Sequence, residues 1–292
     1  MPHEFFIVDV FAERKYAGNQ LAVVIGAGDL DGGEMQAVAA EFDYSETTFV
    51  TGGPTESGWP VRIFTPEAEV PFAGHPTLGT AAVIRRELAD APGGTVTLDL
   101  AAGEIPVTVR KTAGEEVLWM DQNEPTFGAT LPPERAAEIL GLDLEAIDDR
   151  GPVQVVSTGL PALVVPLVDR AALTAIDLDR EAYDGLVAEE GVELVHAACT
   201  EPRSEANDLA VRMFAPGLGV SEDPATGSAN GCLAGYLSRH AFLGDASVAV
   251  RVEQGYEMGR PSLLFLEATP RGAGIDVAVG GSVVPVATGR LY

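Results

Sequence analysis

The chain of 292 residues carries 44 acidic and 18 basic side chains, a formal net charge of −26, and is 46% hydrophobic. A surface so negative repels phosphate, which excludes nucleic acid and anionic membranes as partners. The length allows two domains with their own cores, no apolar run reaches membrane-spanning length, and the opening MPHEFFIVDVF lacks the basic and long apolar regions of a secretory signal, so a cytoplasmic protein is expected.

His3 to Phe11 is an apolar strand, Gly18-Asn19 a turn, and Leu21 to Ile25 a second strand. Asp31 and two glycines precede a helix on which Met35, Val38, Ala39 and Phe42 fall at i, i+3, i+4 and i+7. Ser45 to Val50, SETTFV, reads as a strand with a single acid, Glu46. A strand at residues 61–65 leads into a helix reaching about Leu88, and strands at 95–100, 105–110 and 117–121 follow. The segment 122–149, with a helix at 133–140, joins this half to a second one. There the order recurs: strands at 153–157 and 163–167, a helix at 180–190, strands at 193–199 and 209–215, a helix, and strands at 248–253, 262–267 and 275–279.

The recurrence is legible in detail between RIFTPEAEVPFAGHPTLGTAA, from Arg62, and RMFAPGLGVSEDPATGSANGCLA, from Arg212. Each copy is a strand closed by proline (Pro66, Pro216), then a loop with two acids (Glu67 and Glu69; Glu222 and Asp223), the loop being longer in the second copy. Gly74-His75 or Gly227-Ser228 then opens a run of very small residues. Pro76 suits a first helical turn and Ser228 can cap or begin a helix. Such helix starts present unpaired N–H groups and a positive dipole end, which favour an anion, so Gly74, Gly227 and Ser228 are candidate substrate contacts. Small residues on several sides of a helix mark it as buried. The expected architecture is α+β: two pseudo-symmetric domains, each a curved mixed or antiparallel sheet wrapped around a central buried helix. The expected bounds are residues 1–121, with 282–292 returning to them, and residues 122–281.

Cys199 and Cys232 have no CxxC neighbourhood, and His3, His75, His196 and His240 lack ligand spacing, so no metal is expected. GxGxxG, GxxxxGK[ST] and GxSxG are all absent, which leaves nucleotide binding and a serine nucleophile without support.

VDVF and GNQLAV near the start, SETTFV, RIFTPEAEVPFAGHPTLGTA, MDQNEP, STGLPALVVPL, RMFAPGLGVSEDPATGSA and QGYEMGRPSL together resemble the PhzF-like proteins of phenazine biosynthesis, within the diaminopimelate-epimerase-like fold. The resemblance spans the chain. It implies a homodimer without metal or organic cofactor that isomerises a small anionic metabolite by proton transfer. Carried over, the Glu of SETTFV is Glu46, the His of AGHP is His75, and the Asp and Ser of EDPATGS are Asp223 and Ser228. Glu46, His75 and Asp223 are thereby candidate catalytic groups. Asn19 is a candidate substrate contact in a turn where Gln20 replaces the family's usual proline. Taken singly, Glu46 also reads as an exposed strand glutamate, His75 as a helix cap and Asp223 beside Pro224 as turn chemistry. Racemases of similar fold place a cysteine before the glycine at each helix start, where this chain has Ala73 and Thr226, so thiol racemisation is not expected. An epimerase working through Glu46 and Asp223, or a non-catalytic metabolite-binding protein, are the other readings.

Overall fold

The computed structural model describes residues 2–89, 94–112 and 114–292, and the chain divides into two units: Met1–Met120 with Gly280–Tyr292, and Asp121–Val279. The first unit contains strands β1 (His3–Val10) and β2 (Asn19–Ile25), helix α1 (Gly32–Phe42), strands β3 (Thr47–Val50), β4 (Trp59–Phe64) and β5 (Glu69–Val70), helix α2 (Gly74–Val83), and strands β6 (Thr95–Leu100), β7 (Gly103–Thr112) and β8 (Glu115–Asp121). Helix α1 starts at a capping box: Asp31 accepts from the N–H groups of Gly33 and Glu34, and Glu34 accepts from Asp31 N–H at 2.9 Å. It ends at Asp43 in the left-handed conformation, whose N–H returns to Ala39.

That helix end corrects one sequence expectation. Ser45 and Glu46 are not in a strand, because the chain is still turning out of α1 and ladder pairing begins at Thr47, opposite Ala22. Glu46 therefore sits on the turn that feeds β3.

The sheet of the first unit is mixed. β1 pairs antiparallel with β2 and with the C-terminal strand Val283–Leu291, β2 runs parallel to β3, β3 antiparallel to β4, and β4 parallel to β6, with β7 and β8 continuing antiparallel. Helix α2 packs against β1, β2, β3, β6 and β7, and nearly all of its residues are buried. Its small side chains make that enclosure possible: a Cβ at Gly79 would lie 2.5 Å from Leu21 Cδ2 and 2.8 Å from Val10 Cγ2. After Val83 the chain closes with one wide π-type turn, Ile84–Leu88.

The second unit holds β9 (Thr126–Leu131), α3 (Pro133–Leu140), β10 (Val153–Ser157), β11 (Pro161–Leu167), α4 (Arg170–Ala175), α5 (Arg180–Glu190), β12 (Leu194–Cys199), β13 (Leu209–Ala215), β14 (Val220–Asp223), α6 (Gly227–His240), β15 (Val248–Gln254), β16 (Ser262–Arg271) and β17 (Gly274–Gly281). Its ladder reproduces that of the first: β11 is parallel to β12, β12 antiparallel to β13, and β13 parallel to β15. β9 pairs with β10 as the C-terminal strand pairs with β1. Helix α6 packs against β10, β11, β12, β15 and β16, again buried along most of its length. Helix α4, capped by Asp169, and strand β9 were not anticipated; α4 has fewer than two turns, whereas β9 does alternate, with Phe127, Ala129 and Leu131 against Thr126, Gly128 and Thr130.

The duplication extends to side chains. Arg62 donates Nε and Nη2 to the two oxygens of Glu69, both at 2.7 Å, and lies over the Phe64 ring. Arg212 makes the same fork on Glu222, both bonds at 2.9 Å, and lies over Phe214.

Candidate active site

The candidate residues fall into two constellations, one in each unit. In the first, Glu46 leaves the turn before β3 and His75 is the second residue of α2. Glu46 Oε2 lies 3.5 Å from His75 Nε2, with the two side chains 19% and 7% exposed. The same nitrogen lies 3.3 Å from the backbone oxygen of Gln20. The Gln20 carbonyl can only accept, so Nε2 carries the proton of the neutral imidazole and Nδ1 its lone pair, while the Glu46 Oε2 approach falls short of full hydrogen-bond geometry. Burial pushes His75 down to about 3, the Gln20 carbonyl opposing it only in part. The contact is therefore between a carboxyl group and a neutral imidazole, although its distance also satisfies that of an ion pair; loss of hydration decides the charge of the ring.

Asn19 opens β2 opposite Val10, is buried, and directly precedes Gln20. The preceding Gly18, at φ 65°, is required there, since a Cβ would stand 2.3 Å from Val10 O. Replacing the usual proline by Gln20 leaves the His75 contact intact, because the group that accepts is the backbone carbonyl. At the start of α2, Ala73 occupies the N-cap without a side-chain bond, and Pro76 brings no N–H. The N–H groups of Gly74 and His75 are left for an outside acceptor.

In the second unit Asp223 ends β14, and Gly227 and Ser228 begin α6 after Thr226 at the N-cap. Thr226 has the residue type that caps helices, but its hydroxyl is turned to Asp223 Oδ2 instead and caps nothing. Both helix starts thus lack a side-chain cap. The two constellations are not symmetric copies. In register, Asp223 corresponds to Val70, Ser228 to His75, and Glu46 to Leu194, so duplication placed the scaffold twice and each unit carries its acid at a different position.

Sequence reasoning missed Thr226, Asn230 and Gln254. Gln254 Nε2 donates to Asp223 O and Thr226 Oγ1, and its Oε1 accepts from Thr226 N–H and Asn230 Nδ2. The available signal was a glutamine closing the strand VAVRVEQ immediately before a glycine. Cys232 is buried inside α6 and burial raises its thiol, as it does that of Cys199, so neither is an activated nucleophile. Among the described residues, no group of three or more His, Cys, Asp and Glu side chains is arranged to hold a metal ion, and no helix is long and apolar enough to cross a membrane.

A family model described as phenazine biosynthesis-like protein (PhzC-PhzF) matches residues 8–289. The chain is 34% identical to the trans-2,3-dihydro-3-hydroxyanthranilate isomerase of Pseudomonas aeruginosa, over 99% of each protein. A solved phenazine biosynthesis protein of the PhzF family from Bacillus anthracis superimposes with a TM-score of 0.92 at 26% identity, covering 100% of this chain and 99% of that one. A hydroxyproline epimerase from Agrobacterium vitis, at 12% identity and a TM-score of 0.60 over 99% of this chain and 92% of that one, shares the fold.

Proposed function

The chain belongs to the phenazine biosynthesis-like (PhzC-PhzF) family and is an isomerase, and we propose that it moves a proton between two carbons of a small carboxylated metabolite, using only its own side chains. The observation that carries this reading is the contact of Glu46 with a neutral, N–H-bearing His75. A carboxylate at Glu46 takes a proton from a carbon whose negative charge spreads into a conjugated acid. His75 Nε2–H keeps Glu46 in place during that step, and the proton then returns from Glu46 to a different carbon. Atoms balance without an external acid or base. The N–H groups at Gly74 and His75 stabilise the charge that develops on the substrate carboxylate. On so acidic a protein they supply local attraction for an anion that the overall field repels. Asp223 is proposed as the catalytic acid–base group of the second unit, with Gly227 and Ser228 as its anion contacts, and Asn19 as a substrate contact beside Gln20 in the first.

The relative's name supplies the first compound to test, trans-2,3-dihydro-3-hydroxyanthranilate, which has the carboxylate and the conjugated ring that this chemistry requires. Incubated with the enzyme in deuterium oxide, it is expected to return with its double bonds shifted and deuterium on one ring carbon, read by proton NMR. Inversion at one carbon without a shift of the double bonds assigns an epimerase. Tight binding with no carbon-bound deuterium, repeated over a panel of unsaturated carboxylates, assigns a binding protein and overturns the proposal. A homodimer in the cytoplasm is part of the same reading, and sedimentation equilibrium measures the first half of it.

A further inference from the structure

Gln254 is almost wholly buried at the end of β15, and all four of its side-chain hydrogen-bonding positions are used within one short segment. Oε1 accepts from Thr226 N–H at 3.2 Å and Asn230 Nδ2 at 2.8 Å; Nε2 donates to Asp223 O at 2.9 Å and Thr226 Oγ1 at 3.2 Å. The amide has only one orientation that satisfies these partners, since a backbone N–H can only donate and a carbonyl can only accept. Its orientation dictates that of the next group. Thr226 Oγ1 accepts a hydrogen bond from Gln254 Nε2, so its own proton points away from Gln254, onto Asp223 Oδ2.

The backbone fits this clamp closely. Gly255 follows at φ 75°, where a Cβ would lie 2.5 Å from Pro224 O and 2.4 Å from Arg260 O. The strand end carrying Gln254 thereby lies directly against the Asp223–Thr226 segment. Asn230 Nδ2 also donates to Thr226 O, tying the first turn of α6 into the same network.

We infer that Gln254 is a positioning residue: its amide sets the Thr226 hydroxyl as a one-way donor to Asp223, which holds the Asp223 carboxylate in one orientation. This rests on the proposal that Asp223 takes part in the reaction. The side chain is neutral and adjusts Asp223 through one intervening hydroxyl.

Other ionisable groups on the surrounding elements are occupied or neutral. Glu222 on β14 is held by Arg212, and Glu253 on β15 accepts from the N–H groups of Arg203 and Ser204 and from Asn207. His196 on β12 is pushed down to about 3 by burial, the Asn230 side chain opposing this weakly; neither of its ring nitrogens makes a hydrogen bond of full geometry. Burial raises Cys232 on α6.

The test needs no substrate. Aspartate labelled with carbon-13 at the side-chain carboxyl is incorporated, the Asp223 resonance is assigned by its loss in Asp223→Asn, and its titration midpoint is followed by NMR. Thr226→Val removes the donor and is expected to raise the midpoint by about one pH unit or more; Thr226→Ser restores it. Gln254→Glu keeps size and shape but offers the hydroxyl a competing acceptor, so the Thr226 proton turns away from Asp223. Adding Thr226→Val to Gln254→Glu is then expected to move the midpoint no further. Additive effects of the two substitutions, or no change from Thr226→Val alone, overturn the inference. A purely architectural role would lower the melting temperature without producing this coupling. The catalytic reading of Asp223 stands or falls separately: unchanged turnover in Asp223→Asn removes it, whatever the titration shows.

Discussion

Glu46 Oε2 stands 3.5 Å from Nε2 of His75, a carboxyl group beside an imidazole that burial keeps neutral. The turn out of α1 brings one and the first turn of α2 brings the other, so the geometry depends on two helix ends and not on either strand. An imidazole in this state does not compete with its neighbour for the mobile proton.

The first prediction concerns that carboxyl group. Glu46→Gln keeps its size but removes the base. Turnover is expected to fall on the order of 10²-fold to 10⁴-fold while substrate affinity changes by less than about 1 kcal/mol. Glu46→Asp retains the charge one methylene further back and is expected to keep partial activity. The measurement is kcat together with an independently determined Kd for the three proteins; normal turnover in the Gln variant transfers the shuttle role to Asp223.

A second prediction follows from the two buried histidines. His75 and His196 are each pushed down to about 3 in the folded protein. Unfolded, they titrate near 6.5. With the folded value below the unfolded one, their contribution to stability is fully present above about pH 6.5 and is lost progressively as the pH falls toward about 3. Each contributes a slope of up to about 1.4 kcal/mol per pH unit in that window. Urea unfolding of wild type and His196→Gln between pH 7 and pH 5 is expected to show a shallower decline in the variant. Parallel curves would mean that His196 accepts a proton inside the fold.

The repeated arginine–glutamate fork supplies a third. Arg212 and Glu222 are 10% and 16% exposed, and Arg212 also donates to the backbone oxygens of Leu173 and Ile176. Arg62 and Glu69 are 36% and 40% exposed. Arg212→Met, which strands a mostly buried carboxylate, is expected to cost about 3–5 kcal/mol. Arg62→Met, at a pair already screened by water, is expected to cost about 0–1 kcal/mol. Chemical unfolding of both variants at neutral pH decides it, and equal losses would show that burial does not distinguish the two copies.

The acidic surface gives a fourth. With a net charge of −26, repulsion between exposed carboxylates opposes compaction, and added salt screens it. The melting temperature is expected to rise from dilute buffer to molar potassium chloride. A flat profile would place the excess acid too far apart to interact.

What the sequence determined by itself was local or repeated. Helix α5, Arg180–Glu190, and strand β13, Leu209–Ala215, could be bounded because their caps and apolar runs lie within one window. The two small-residue helices were legible because the chain states them twice. His75, Asp223 and Ser228 lie in the repeated stretches and Glu46 in SETTFV, and their roles were suggested by the family resemblance, yet their environments were not written there. The burial that keeps His75 neutral comes from β1, β2 and β3, and its partner Gln20 O from a backbone group that no residue identity specifies. Tertiary structure alone decided that Glu46 leaves a turn and not a strand, that Asp223 has no counterpart but Val70 in the first unit, and that the returning C-terminal strand pairs with β1. It also decided that Gln254 governs Thr226. That contact is made across distant chain positions by an amide whose four partners exist only when β14, α6 and β15 have packed, and the free energy of such a cluster is a property of the assembled segments, not of any stretch of sequence.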